Sequence, residues 1–159
     1  MSFQMTASST HDSGPLEQVP MPSLSSAPAR VFGFNLRAGP LAAAEARHAF
    51  QAAEDTLSED ERQPMLLMLT ELVTNAVRHG EGAERPRGVA VKVVECDAAV
   101  GAAVTNPGAG FEWNGRMSDD PLEPGGYGLL LVDRMASRWG IDRSPGSTTV
   151  WFELDRATA

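Results

Sequence analysis

Glu71 and Asn75 stand four residues apart in the stretch ELVTNAVRHG, Glu71 to Gly80. On a helix that spacing puts a carboxylate and a carboxamide one turn apart on the same side. Such a pair suits phosphoryl transfer. The carboxamide oxygen is a hard ligand for Mg²⁺ beside phosphate oxygens, and the carboxylate can take a proton from an attacking hydroxyl or water. On a wheel of roughly 100° per residue, Met65, Leu66, Leu69, Leu72, Val73, Ala76 and Val77 fill one arc, which must face a sheet. Glu71, Asn75 and Arg78 gather on the opposite side. A solvated polar face would give the same spacing. Two details point away from it: Leu67 and Met68 flank the stripe, so it is partly covered, and Asn is a poor choice for an exposed helix interior.

Glycine-bearing segments follow. Asn106-Pro107-Gly108-Ala109-Gly110 comes after an apolar stretch, and Gly108 and Gly110 would let backbone approach a flat ligand closely. Glycine-rich turns after strands are also common without a ligand. Further on, Gly125, Gly126 and Gly128 surround Tyr127 at the start of the apolar run Leu129–Val132. Free N–H groups and the positive dipole end at such a helix entry suit phosphate groups, although the same glycines could serve only close packing. No G-x-x-x-x-G-K-[ST] segment is present to compete for a nucleotide.

These motifs need elements to hold them. Val31, Phe32, Phe34 and Leu36 read as a short strand that ends before Gly39-Pro40. The alanine-rich stretch from Leu41 to about Leu57 reads as a helix. Ser58 is a good N-cap for a second helix that runs to His79 and stops at Gly80, with Asp60 and Glu61 where negative charge favours a helix start. Gly88–Cys96 and Ala98–Thr105 read as two strands joined near Asp97. A loop then spans Asn106 to Gly126, before a helix from Tyr127 to Ala136. The chain closes with the strand Trp139–Arg143, a Pro145-Gly146 turn and the alternating strand Thr148–Leu154. The order β-α-α-β-β-loop-α-β-β predicts an α+β two-layer sandwich, with helices on one face of a mixed, mostly antiparallel sheet. Met1 to Ala29 holds seven serines and four prolines with almost no apolar periodicity, so it reads as a disordered tail ahead of one domain over residues 30–156.

Composition narrows the function. A formal net charge of -8 over 159 residues argues against direct binding to nucleic acid or to an anionic membrane. Cys96 is the only cysteine, which excludes an internal disulfide and a cysteine-based metal cluster and reads as a small buried thiol. No run of 18 apolar residues and no signal-peptide pattern is readable. The cytoplasm is therefore the expected compartment.

Taken together, the motifs resemble those of the GHKL (Bergerat-fold) superfamily, in the form found in small single-domain anti-sigma-factor serine kinases. ELVTNAVRHG is similar to the family's N-box, Asn106–Gly110 to its Asp-x-Gly-x-Gly box, and Pro124–Val132 to its second glycine box. Glu112–Glu123 has about the length of the family's short ATP lid, and Gly146–Phe152 resembles its closing strand. The resemblance implies that Glu71 is the general base and Asn75 the Mg²⁺ ligand. It implies a nucleotide contacted by Asn106, Gly108, Gly110, Gly125, Gly126, Tyr127, Gly128, Leu129 and Thr149. The family has Asp where this chain has Asn106, a neutral acceptor for the adenine amino group in place of a charged one. Thr149 stands in for a threonine that helps hold adenine. The implied activity is Mg·ATP-dependent phosphorylation of a serine on a small anti-anti-sigma (STAS-type) partner, alternating with capture of a sigma factor, and a homodimer is compatible with it. A histidine kinase would need a phospho-accepting helix before this domain, and residues 1 to 40 carry only His11, within the tail. The competing reading is a weak or inactive module that works by partner exchange alone; Asn106 supports it, while Glu71 and Asn75 speak against it.

Overall fold

The computed structural model describes residues 30–52, 55–79, 88–107 and 127–157. The elements follow the predicted order: β1 (Arg30–Arg37), α1 (Ala42–Gln51), α2 (Glu59–His79), β2 (Gly88–Glu95), β3 (Ala99–Pro107), α3 (Tyr127–Met135), β4 (Arg138–Ser144) and β5 (Ser147–Asp155). The five strands form one sheet in the order β1-β2-β3-β5-β4. Every pairing among them is antiparallel. The α+β sandwich expected from sequence, with helices on one face of a mostly antiparallel sheet, is borne out, and the described strands contain no parallel pair. β3 and β4, the strands that α3 links, do run in the same direction, but β5 lies between them, so no parallel ladder forms.

One face of the sheet carries the helices. Val91, Val93, Val100, Ala102, Val104, Val150 and Phe152 alternate along β2, β3 and β5 and pack with Ala46, Phe50, Met65, Leu69, Leu72, Leu129 and Val132 in one core. Each of the Val, Leu, Met and Phe side chains in this layer contributes roughly 1.5–3 kcal/mol on full burial, so this layer is the main source of stability. On the other face a smaller cluster joins Val94, Ala99 and Ala103 with Trp151 and Cys96. Cys96 forms no disulfide and is half-buried rather than enclosed. The predicted Pro145-Gly146 turn is present, and Gly146 has a φ of 78°, which an L side chain would strain.

α2 begins as predicted at Ser58, whose backbone N–H donates to Glu61 Oε2 over 2.9 Å, one half of a capping box. Thr70 and Thr74 donate to the carbonyls of Leu66 and Thr70, so their hydroxyls are satisfied inside the helix. α1 ends at Gln51, short of the expected Leu57. Tertiary bonds in the connection override helix propensity there. The Thr56 hydroxyl accepts from Arg30 and donates to the buried Glu95 carboxylate, and the Thr56 carbonyl accepts from Arg156 Nη2.

Arg156 also ties the end of the chain to the start of α2, with its Nε 2.8 Å from Glu61 Oε1 and its Nη2 3.1 Å from Glu61 Oε2. That bidentate pairing holds the Glu61 carboxyl below the ordinary carboxylate range. A depressed carboxylate pKa adds stability that is present above the ordinary value of 4.5 and lost as pH falls through the lower folded value. Arg156→Ala therefore lowers unfolding stability by about 1–3 kcal/mol at neutral pH. The deficit shrinks as the solution is acidified below that range, measured by urea titration at a series of pH values.

Candidate functional site

α2 packs on the sheet with one side and on α3 with another, and Glu71 and Asn75 lie on the α3 side. The stripe Met68, Glu71, Leu72, Asn75 runs at i, i+3, i+4, i+7. Met68 is fully buried within it, Asn75 is 5% exposed and Glu71 is half-buried, while Leu67 and Arg78 face solvent. The face opposite the sheet is thus no solvated surface at these positions. What covers it is the first turn of α3. A Cβ placed on Gly128 would lie 2.9 Å from Glu71 Oε2, 3.2 Å from Asn75 Nδ2 and 3.3 Å from Glu71 Cβ. Glycine is the one residue that allows this approach, and it brings the carboxylate and the carboxamide to the N-terminal end of α3, where unpaired N–H groups point outward.

α3 is fixed from its other end. Ala136 N–H closes the helix on the Val132 carbonyl, and Trp139 Nε1 on β4 donates to Asp133 Oδ1 over 2.9 Å. Leu129 and Val132 are buried in the main core.

A second group of predicted residues sits at the end of β3. Asn106 was expected to open a loop, but β3 continues through Pro107 and pairs Asn106 with Thr148 of β5. Directly opposed residues of an antiparallel pair share a face. Val104 opposes Val150 and Ala102 opposes Phe152 on the helix-covered face, so Asn106 and Thr148 lie on that face too. Thr149 lies on the other face, opposite Thr105, and the two hydroxyls are 2.7 Å apart. Thr148, fully buried, is thus the residue opposite Asn106, whereas Thr149, expected to help hold adenine, lies on the other face of the sheet. The period-2 run Thr148, Val150, Phe152 groups Thr148 with two apolar residues in the sequence.

Asn106 is 4% exposed, and its side-chain Nδ2 is buried without a hydrogen-bond partner among the described residues. An unsatisfied buried donor of this kind costs about 1–3 kcal/mol. The chain leaves the described structure just after Asn106 and re-enters it at Tyr127, so the two groups lie at the two ends of one connecting segment, residues 108–126. Gly108, Gly110, Gly125 and Gly126 lie outside the described residues, as does the stretch expected to form a lid.

Thr148→Val and Thr149→Val separate the two faces. Both exchanges keep volume and remove a hydroxyl. A nucleotide titration is expected to show several-fold weaker binding for Thr148→Val, the loss of one hydrogen bond of about 1 kcal/mol, and unchanged binding for Thr149→Val.

Comparison with known proteins bears on what this arrangement serves. The model of a family described as a histidine kinase-like ATPase domain matches residues 36–154. No curated protein matches the chain. Among solved structures, the RsbU and RsbW domains of Rv1364c from Mycobacterium tuberculosis are similar in fold, with 23% identity and a TM-score of 0.60 over 82% of this chain. The match spans 34% of that longer chain. No helix among the described residues is long and apolar enough to cross a membrane. The matched family segment covers most of the chain and takes in both groups of site residues, and so the chain belongs to the histidine kinase-like ATPase domain family and is an ATP-binding domain.

Proposed function

We propose that the chain is an ATP-dependent protein serine kinase and anti-sigma factor, which phosphorylates a serine of a small STAS-type partner and, in alternation, holds a sigma factor in the cytoplasm. The observation that carries this reading is the seat under Gly128, where Glu71 and Asn75 meet the N-terminal turn of α3 so closely that an added Cβ would stand 2.9 Å from the Glu71 carboxylate.

The residues present suit Mg·ATP. A carboxylate and a carboxamide lie at the first turn of α3, close to Gly128, and an unpartnered amide donor stands on the covered face of the sheet. Among the described residues no cluster of three or more His, Cys, Asp or Glu could hold a metal by itself. Asn75 would be the side chain to hold Mg²⁺ through its carboxamide oxygen. When bound, the ion offsets phosphate charge as it builds during transfer. Glu71 accepts the proton from the attacking serine hydroxyl, the first turn of α3 orients phosphate oxygens through its N–H groups, and Asn106 with Thr148 orients the purine.

Asn75→Ala is accordingly expected to bind ATP equally well with and without Mg²⁺, whereas the parent binds it more tightly with the ion. The role itself is tested by incubating the chain with ATP labelled on its terminal phosphate and a small STAS-type protein carrying a serine. Label on that serine supports the kinase. Nucleotide binding with no transfer to any such partner favours the second reading, a partner-exchange module, for which the neutral Asn106 is the specific observation.

A further inference from the structure

We infer that the base pocket accepts 6-oxopurine nucleotides, GTP and ITP, alongside ATP, because Asn106 presents a buried and unpartnered amide donor where a carboxylate would present acceptors only. The inference rests on the reading of this cleft as a nucleotide site and concerns which nucleotides enter it.

Asn106 is 4% exposed, lies opposite Thr148, and has an Nδ2 that meets no acceptor among the described residues. A donor left in that state calls for an acceptor in the working complex. A purine offers one in either of two ways. Adenine presents a 6-amino donor next to the N1 acceptor; guanine and hypoxanthine present a 6-oxo acceptor next to an N1–H donor. A carboxamide matches both edges with two hydrogen bonds. Against adenine, Oδ1 accepts from the 6-amino group and Nδ2 donates to N1. Against a 6-oxopurine, Nδ2 donates to the oxygen and Oδ1 accepts from N1–H. Only a rotation of the amide by half a turn separates the two arrangements.

A carboxylate has no such freedom. It accepts from a 6-amino group and sets like charge against a 6-oxo group, and a mismatched buried polar pair discriminates strongly. The buried carboxylates among the described residues are committed elsewhere: Glu95 to Thr56, and Glu153 to Arg138 at 2.7 Å. Thr148, the neighbour across the ladder, carries a hydroxyl that both donates and accepts and so adds no preference of its own. Among the described residues, purine selectivity therefore falls to one amide that can serve either edge.

The test is calorimetric titration of the intact chain with ATP, GTP and ITP in Mg²⁺, and of Asn106→Asp with the same three nucleotides. The parent is expected to bind GTP and ITP within about tenfold of ATP, with ITP close to GTP because it shares the 6-oxo group and lacks the 2-amino group. Asn106→Asp is expected to gain several-fold for ATP and to lose about a hundredfold or more for both 6-oxopurines. A parent that binds ATP and excludes GTP and ITP by more than about a hundredfold overturns the inference and leaves the ATP site standing. Binding of GTP without ITP overturns it as well, since the 2-amino group would then be what is read, and so does an Asp variant that still takes GTP like the parent. Silence of the parent toward all three nucleotides at millimolar concentration removes the nucleotide site and the inference together. Should Asn106→Asp not fold, the parent's own ratio among the three nucleotides decides.

Discussion

Glu71→Gln binds Mg·ATP as tightly as the parent and transfers its phosphoryl group about 10²- to 10⁴-fold more slowly, the span that a positioned general base contributes. Gln keeps the length and shape of Glu and still fills the seat beside Gly128 and Asn75, so the packing of α3 on α2 is not disturbed. What it lacks is a basic oxygen for the serine proton. Single-turnover transfer of labelled phosphate, read beside a nucleotide titration of the same preparation, checks both halves. A variant whose transfer stays within about threefold of the parent would show that no proton passes to Glu71 in the limiting step.

Gly128→Ala is expected to produce a large loss of transfer with a small loss of stability. The new Cβ would stand 2.9 Å from Glu71 Oε2, closer than real Cβ atoms come, and 3.3 Å from Glu71 Cβ. The carboxylate is the mobile end of its side chain and can swing aside, so the fold yields by about 1 kcal/mol or less, partly offset by the better helix propensity of alanine. The active arrangement yields more. A carboxylate displaced by the order of 1 Å costs about 10²-fold in rate, and the methyl also presses on Asn75 Nδ2 at 3.2 Å. Thermal unfolding and transfer assays on one sample separate the two effects. A variant that loses several degrees of melting temperature and keeps full transfer would mean that Gly128 serves packing alone.

How much of this was legible in the sequence differs from residue to residue. α2 was read correctly from Ser58 to His79 because it is long, strongly periodic, capped at one end and followed by Gly80. The pair Glu71 and Asn75 was legible for the same reason, since an i,i+4 spacing on a certain helix leaves no choice of face. Burial of that stripe was only half legible. Met68 gave it away, but its cover, the close approach of Gly128, is a tertiary contact between residues far apart in the chain.

The end of β3 departs from its sequence pattern because Asn-Pro-Gly carries turn chemistry, and local propensity gives way to a ladder that pairs Asn106 with Thr148 and Pro107 with Ser147. Which face Thr148 and Thr149 take was not legible, because strand faces follow from register and a one-residue step moves a side chain to the other side of the sheet. The end of α1 went unread because Thr56 is held by Arg30, Glu95 and Arg156, contacts that no local window contains.

The most direct measurement is a calorimetric titration of ATP into the intact chain, with Mg²⁺ and with the ion chelated. One saturable site per chain, tighter with Mg²⁺ than without, is the predicted result. No saturable binding up to millimolar ATP under either condition would contradict an account in which Glu71, Asn75 and Gly128 are gathered to handle a nucleotide.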